Sequence, residues 1–242
     1  MAYWLRFIQQ WPTVNDLANA SEDEILKAWQ GLGYYSRARN LHKAAQQVVD
    51  RKGFPKTSKE LKKLKGVGEY TAAAIASFAF DEAVAVVDGN VYRVLARFKG
   101  IDTPIDTTSG KKEFQELAQS LLPTQNSARY NQAIMDFGAI QCTSTSPHCA
   151  VCPLCESCVA YREQRIQLLP VKSKTIKQKE RKLTYLYIQY NNEIALHQRG
   201  AGDIWQGLWE LPQACHLTKQ TEKDWKKNAI EVCKDMKHVL TH

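Results

Sequence analysis

Leu61 to Arg97 constrains the fold of this chain more than any other stretch. Leu61 and Leu64 share one face of a short helix, and Lys62, Lys63 and Lys65 surround them with positive charge. Gly66-Val67-Gly68 then places two glycines around one apolar residue, where a chain reversing between helices needs φ > 0 and has no room for a Cβ. Such a turn bares backbone N–H groups at the start of the helix that opens near Glu69, which suits a phosphate. The same residues would also serve an ordinary turn between helices. Thr71 to Phe80 is nearly all Ala, Ile and Phe and reads as a buried helix. Ala83 to Val87 then delivers Asp88, and Gly89-Asn90 opens a further helix through Arg97. An Asp in that place ordinarily caps its helix, worth about 1 kcal/mol. A cap alone leaves the basic surroundings unexplained.

The 242 residues allow one large or two modest domains, and the net charge of +8 favours a polyanionic partner. No run approaches the ~18 apolar positions of a membrane span, and Met1 to Arg6 has no apolar signal core. A cytoplasmic protein with no membrane partner is expected. Of seven cysteines, five crowd between Cys142 and Cys158, which argues for a metal rather than disulfides. Two tetrads fit: Cys142, Cys149, Cys152 and Cys158, or the evenly spaced Cys149, Cys152, Cys155 and Cys158. Either could hold zinc or an iron–sulfur cluster, and spacing does not choose.

Elsewhere the pattern is mainly helical. Met1 to Trp11 has helical spacing closed by Pro12, and Ser21 with Glu24 fits a capping box ahead of Ile25, Leu26 and Trp29. Gly31 to Asn40 sets Tyr34 and Tyr35 between glycines and arginines, a pattern for stacking or wedging beside phosphates. Leu41 to Val49 is amphipathic, with His42 expected on its surface. Phe114, Leu117, Ala118, Leu121 and Leu122 form a core stripe, and Arg129 to Ile140 is a further helix. Tyr161, Arg162 and Arg165 follow the cysteines, where they could meet backbone phosphate. Val171 to Lys182 is rich in lysine and reads as a linker. From Leu183 the pattern alternates, with Asn191-Asn192 as the turn of a β-hairpin.

Leu64 to Thr71 and Val87 to Arg97 resemble the helix-hairpin-helix and catalytic-Asp segment of the DNA base-excision glycosylases, and are most similar to the MutY-type adenine DNA glycosylases. Lys65 stands where that family usually has Pro. The resemblance implies a mainly α helix-hairpin-helix glycosylase fold with an iron–sulfur loop, followed by a partial α/β MutT-like C-terminal domain around Ile204 to Pro212. The expected division is a helical domain at 1–165, a basic linker at 166–182 and the partial domain at 183–242. No Nudix catalytic motif is visible, so nucleotide hydrolysis is not expected.

The resemblance further implies hydrolysis of the N-glycosidic bond of adenine mispaired with 8-oxoguanine or guanine in double-stranded DNA, by a monomer. Asp88 would stabilise the oxocarbenium-like sugar, Asn90 would hold Asp88, and Tyr70 would orient sugar or carboxylate. Lyase-active relatives carry lysine at the place of Tyr70, so a monofunctional enzyme is expected. Lys65, Gly66, Val67, Gly68 and Arg93 would contact DNA, Tyr34 would insert into the duplex, and Gln132 would face the extruded adenine. Thr241 and His242 match the start of the family's 8-oxoguanine-reading loop. Cys142, Cys149, Cys152 and Cys158 correspond to the ligands of a [4Fe–4S] cluster, leaving Cys155 as an extra. The family's general-acid Glu would lie upstream of Met1, so a shortened, poorly active form is expected. An endonuclease III-like glycosylase and lyase, or a non-catalytic iron–sulfur DNA-binding module, are the alternatives.

Overall fold

The computed structural model describes residues 2–173, 180–213 and 216, in two compact units, Met1–Lys177 and Gln178–His242. Among the described residues no helix is long and apolar enough to cross a membrane. Thr241 and His242, and Lys174, Lys177 and Lys179 of the basic stretch, lie outside them.

The first unit is all helix and loop. Helix α1 (Ala2–Gln10) sets Phe7 edge-on to Trp11 and Trp29 but buries no residue fully. Two capping boxes start α2 (Val14–Asn19) and α3 (Glu22–Ala28): Thr13 with Asp16, and Ser21 with Glu24. Both helices pack on α4 (Ser36–Asp50), which buries Ala38, His42, Ala45 and Val48. His42 is therefore not a surface residue. Its Nε2 lies 3.3 Å from the Ala18 carbonyl and 3.1 Å from Gln46 Nε2, so a polar ring fills an otherwise apolar contact.

Short α5 (Ser58–Leu61) leads through the glycine turn into α6 (Glu69–Phe80). Leu61 and Leu64 pack with Val48, Ala72 and Ala76 into one core cluster. The alanine-rich helix buries only its inner face, and Phe78 stays exposed. The second cluster gathers Val91, Leu95 and Ala96 of α7 (Gly89–Lys99) with Phe114 and Ala118 of α8 (Thr108–Leu121), and with Ala160 and Leu169. Leu121, placed in the core stripe by its spacing, is exposed at the end of its helix.

Helix α9 (Ser127–Ile140) crosses α7 where Gly138 meets Asn90; a Cβ at Gly138 would stand 2.7 Å from the Asn90 Cβ. The buried Asn131 of α9 ties this layer to the strand-like approach to Asp88, accepting from the Val86 amide at 3.1 Å and donating to Ser77 and to the Val84 carbonyl at 2.9 Å each. A 3₁₀ turn (Cys149–Val151) and α10 (Val159–Arg162) carry the cysteine loop back onto α7.

The helical unit continues past residue 165. Ile166, Leu169 and Val171 pack on the second cluster, the Ile105 amide donates to Val171, and Ser173 donates to Asp106. Residues 166–173 thus belong to this unit and not to a linker; their apolar members alternate with polar ones too irregularly to announce it.

In the second unit, β1 (Gln189–Tyr190) and β2 (Glu193–Ile194) form a hairpin turning at Asn191, whose φ is 52°. The ladder is shorter than the alternation predicts, because Tyr185 and Leu186 pair instead with Gln213 and Pro212. Strands β3 (His197–Gln198) and β4 (Trp209–Glu210) pair antiparallel, with His197 opposite Glu210.

Candidate active site

Asp88 caps α7 and presents its carboxylate at the helix N-terminus. Its Oδ1 accepts from the amides of Asn90 and Val91, both at 2.8 Å, and its Oδ2 accepts from Asn90 Nδ2 at 3.0 Å. The cap and the site are the same group: three donors fix the carboxylate's direction while it stays only half-buried. Tyr70, in the first turn of α6 and 45% exposed, lies near it. Burial, and then the negative charge of Asp88, push the Tyr70 phenol above its usual range. The glycine turn therefore delivers a phenol beside the carboxylate that opens the next helix.

Arg93, expected to contact DNA, is half-buried and makes internal hydrogen bonds. One turn into α7, its guanidinium donates to Asn90 Oδ1 at 2.8 Å, to the Gly138 carbonyl at 2.6 Å and to the Cys142 carbonyl at 2.7 Å. It is an internal brace running from the first cysteine to the residue that holds Asp88. Arg97, one turn further, is 2% exposed. It donates to Thr143 and Ser144 where the cysteine loop leaves, at 2.7 and 3.0 Å, and to Ile166 and Leu169 where it returns, at 3.0 and 3.1 Å. Sequence reasoning missed Arg97. Its helical spacing from Arg93 is visible, but nothing local reveals its distant acceptors.

Five thiols of the loop are free and half-buried. Burial pushes the Cys149 thiol up, and the thiols of Cys142, Cys152 and Cys158 push it further. Cys155 is not among the groups acting on Cys149. The Arg97 guanidinium sits 3.5 Å from Cys142 Sγ, and Cys158 Sγ lies 3.4 Å from the Arg97 carbonyl.

The glycine turn differs from expectation in one glycine. Gly66 has φ +76°, and an added Cβ would meet the Asn40 Cβ at 2.5 Å. Gly68 has φ −84° and open space around it; it caps α6 with no side-chain hydrogen bond, which leaves the first-turn amides facing outward. The Lys65 amide is committed to Gln47 Oε1 at 2.6 Å, Lys62 is paired with Glu69 at 2.7 Å and Lys63 with Glu60 at 2.6 Å. The turn's positive field is thus more balanced than the lysines alone suggest, and its outward donors are backbone. Val67 is half-buried against the Leu61 cluster.

Tyr34 is 44% exposed on a loop whose backbone is left-handed at Gly31, Gly33 and Tyr34, the last with φ 49°. A tyrosine held in that region costs about 1 kcal/mol or more and is maintained by its surroundings. The Arg37 guanidinium sits 5.2 Å from its ring centre. Gln132 is exposed on α9 and donates to Asp136 at 2.8 Å. Tyr161 is exposed, but Arg165 is committed to ion pairs with Asp102 and Glu163.

A helix-hairpin-helix turn, a carboxylate capping the following helix and a cysteine loop bolted to that helix define the class of a DNA base-excision protein. The family model of HhH-GPD superfamily base excision DNA repair proteins matches residues 1–123, and that of the NUDIX domain matches 184–242. An adenine DNA glycosylase of Buchnera aphidicola (subsp. Schizaphis graminum) is 34% identical over 239 residues, covering 98% of this chain and 68% of that one. The adenine DNA glycosylase of Arabidopsis thaliana is 36% identical over 266 residues, covering 96% of this chain but 42% of its own. An endonuclease III solved in a non-covalent DNA complex superposes with a TM-score of 0.60 at 26% identity, over 67% of this chain and 76% of that one. This chain belongs to the HhH-GPD superfamily, within its adenine DNA glycosylases.

Proposed function

We propose that the chain releases adenine from double-stranded DNA in which adenine stands opposite 8-oxoguanine or guanine, acting as a monofunctional monomer. The observation that carries the reading is the Asp88 carboxylate: both oxygens are oriented, by two backbone amides and by Asn90, at a helix start next to an exposed phenol. Cleavage of an N-glycosidic bond builds positive charge on the sugar, and a fixed carboxylate stabilises that charge or bonds to it transiently. Tyr70 is placed to orient the sugar, and having no amine it offers no Schiff base, which sets aside the lyase reading. The outward amides of α6 suit a DNA phosphate. Tyr34, exposed on a left-handed loop, suits insertion beside an extruded base, and Gln132 can both donate to and accept from an adenine edge once it leaves Asp136.

The thiols of Cys142, Cys149, Cys152 and Cys158 suit a [4Fe–4S] cluster. The Thr143 hydroxyl beside Cys142 is buried without a partner among the described residues, and a sulfur-rich group there would accept from it. When bound, the cluster would crosslink the loop that Arg93 and Arg97 fasten to α7.

The test is single-turnover release of adenine, with protein in excess, from a duplex carrying adenine opposite 8-oxoguanine. Asp88→Asn should lower the rate about 10²–10³-fold while duplex binding persists. No release by the unaltered chain, or equal release by the variant, would overturn the reading.

A further inference from the structure

We propose that His197, Glu210 and His216 of the C-terminal unit form a zinc site. One ligand atom from each lies within 4.8 Å of the others; the two imidazoles stack with centroids 3.6 Å apart at 29°, so one ring turns when both aim an in-plane nitrogen lone pair at a single ion. His197 on β3 and Glu210 on β4 are register partners, and the His216 amide donates to the Gln213 carbonyl at 2.9 Å. Two neutral imidazoles and one carboxylate suit zinc and leave a fourth position for water. Calcium and magnesium prefer all-oxygen sites.

The carboxylate is already oriented. Glu210 Oε2 accepts from Tyr185 at 3.1 Å and from Arg199, and Oε1 accepts from Gln213 Nε2 at 3.1 Å. A carboxylate has about four acceptor positions, so Oε1 keeps capacity for a cation. Arg199 is the nearby positive charge, and Asp203 answers it at 2.6 Å as well as Glu210. His216 Nδ1 accepts from the Gln213 amide at 3.1 Å. A zinc ion taking that lone pair exchanges one neutral hydrogen bond for a coordination bond. It would join His216 to β3 and β4, whose ladder is only two residues long.

Cobalt(II) is the probe, titrated into the whole chain with its cysteine centre loaded and other divalent ions removed, followed by displacement with zinc. One equivalent should bind with the visible bands of a nitrogen and oxygen site and without thiolate charge transfer. His216→Gln, at an exposed position, should keep the circular dichroism and weaken binding more than about 100-fold, and Tyr185→Phe should weaken it about 10-fold, as an outer partner does. Equal uptake by the unaltered chain and His216→Gln, no uptake by either, or a thiolate spectrum would overturn the site.

Discussion

Arg97→Met tests the idea that a buried guanidinium, and not the cysteines alone, holds the cysteine loop in register. The substitution keeps volume and apolar stem but removes the donors to Thr143, Ser144, Ile166 and Leu169. Hydrogen bonds to a charged group are worth roughly 1.5–3 kcal/mol each, and since one Nε–H is shared between Ile166 and Leu169 the equivalent of three amounts to about 4.5–9 kcal/mol gross. Against this stands the several kcal/mol that a buried ion gives up in hydration, which the variant recovers. A net loss of about 3–5 kcal/mol follows, a large share of the roughly 5–15 kcal/mol that holds a domain together. Urea unfolding of the cofactor-loaded protein, followed by far-UV circular dichroism and by absorbance of the cysteine centre, reads the loss. Arg97→Lys should recover little, because an ammonium cannot span acceptors at both ends of the loop. A loss below about 1 kcal/mol with the centre intact would refute the reasoning.

The glycine turn offers a contrast: Gly66→Ala should cost about 1–3 kcal/mol and weaken duplex binding, given its φ of +76° and the Asn40 clash, whereas Gly68→Ala should stay within about 0.5 kcal/mol, both read by thermal unfolding and by fluorescence anisotropy. Tyr34→Gly should leave stability unchanged or raise it by up to about 1 kcal/mol by relieving the left-handed backbone, yet weaken duplex binding by the roughly 1–3 kcal/mol of a lost stacking contact; equal affinity would remove Tyr34 from the interface. In the C-terminal unit, the Arg181 hydrogen bond holds the Asp203 carboxyl far below the usual carboxylate range. A depressed folded value means that its stabilisation is present above the unfolded value and is lost as pH falls below about 3.8, so Asp203→Asn should flatten the acid limb of that unit's stability measured by tryptophan fluorescence.

What the sequence made legible was local. Both ends of a capping box lie three residues apart, as Ser21 and Glu24 do, and the Asp88 cap reaches only to Asn90 and Val91. The paired glycines marked the hairpin, although only Gly66 proved to need its left-handed backbone. What escaped was long-range. The acceptors of Arg97 lie 45 to 72 residues away in the chain, and those of Arg93 outside its own helix lie 45 and 49 away. An arginine in a basic helix looks the same in sequence whether it meets a phosphate or a distant carbonyl. His42 and Asn131 escaped for the same reason, as polar residues whose burial is decided by partners in other helices.

The brace formed by Arg93 makes the timing of maturation a structural property. The carbonyl it grips belongs to Cys142, the first residue of the loop, while its other branch steadies the asparagine that aims Asp88. A newly made chain that had completed every helix would hold Asp88 by its two backbone amides, with the Asn90 side chain unbraced until that loop closed. Full orientation of the carboxylate would then follow closure of the loop and not helix content alone, so an unfinished molecule would hold its target before it released a base at full rate.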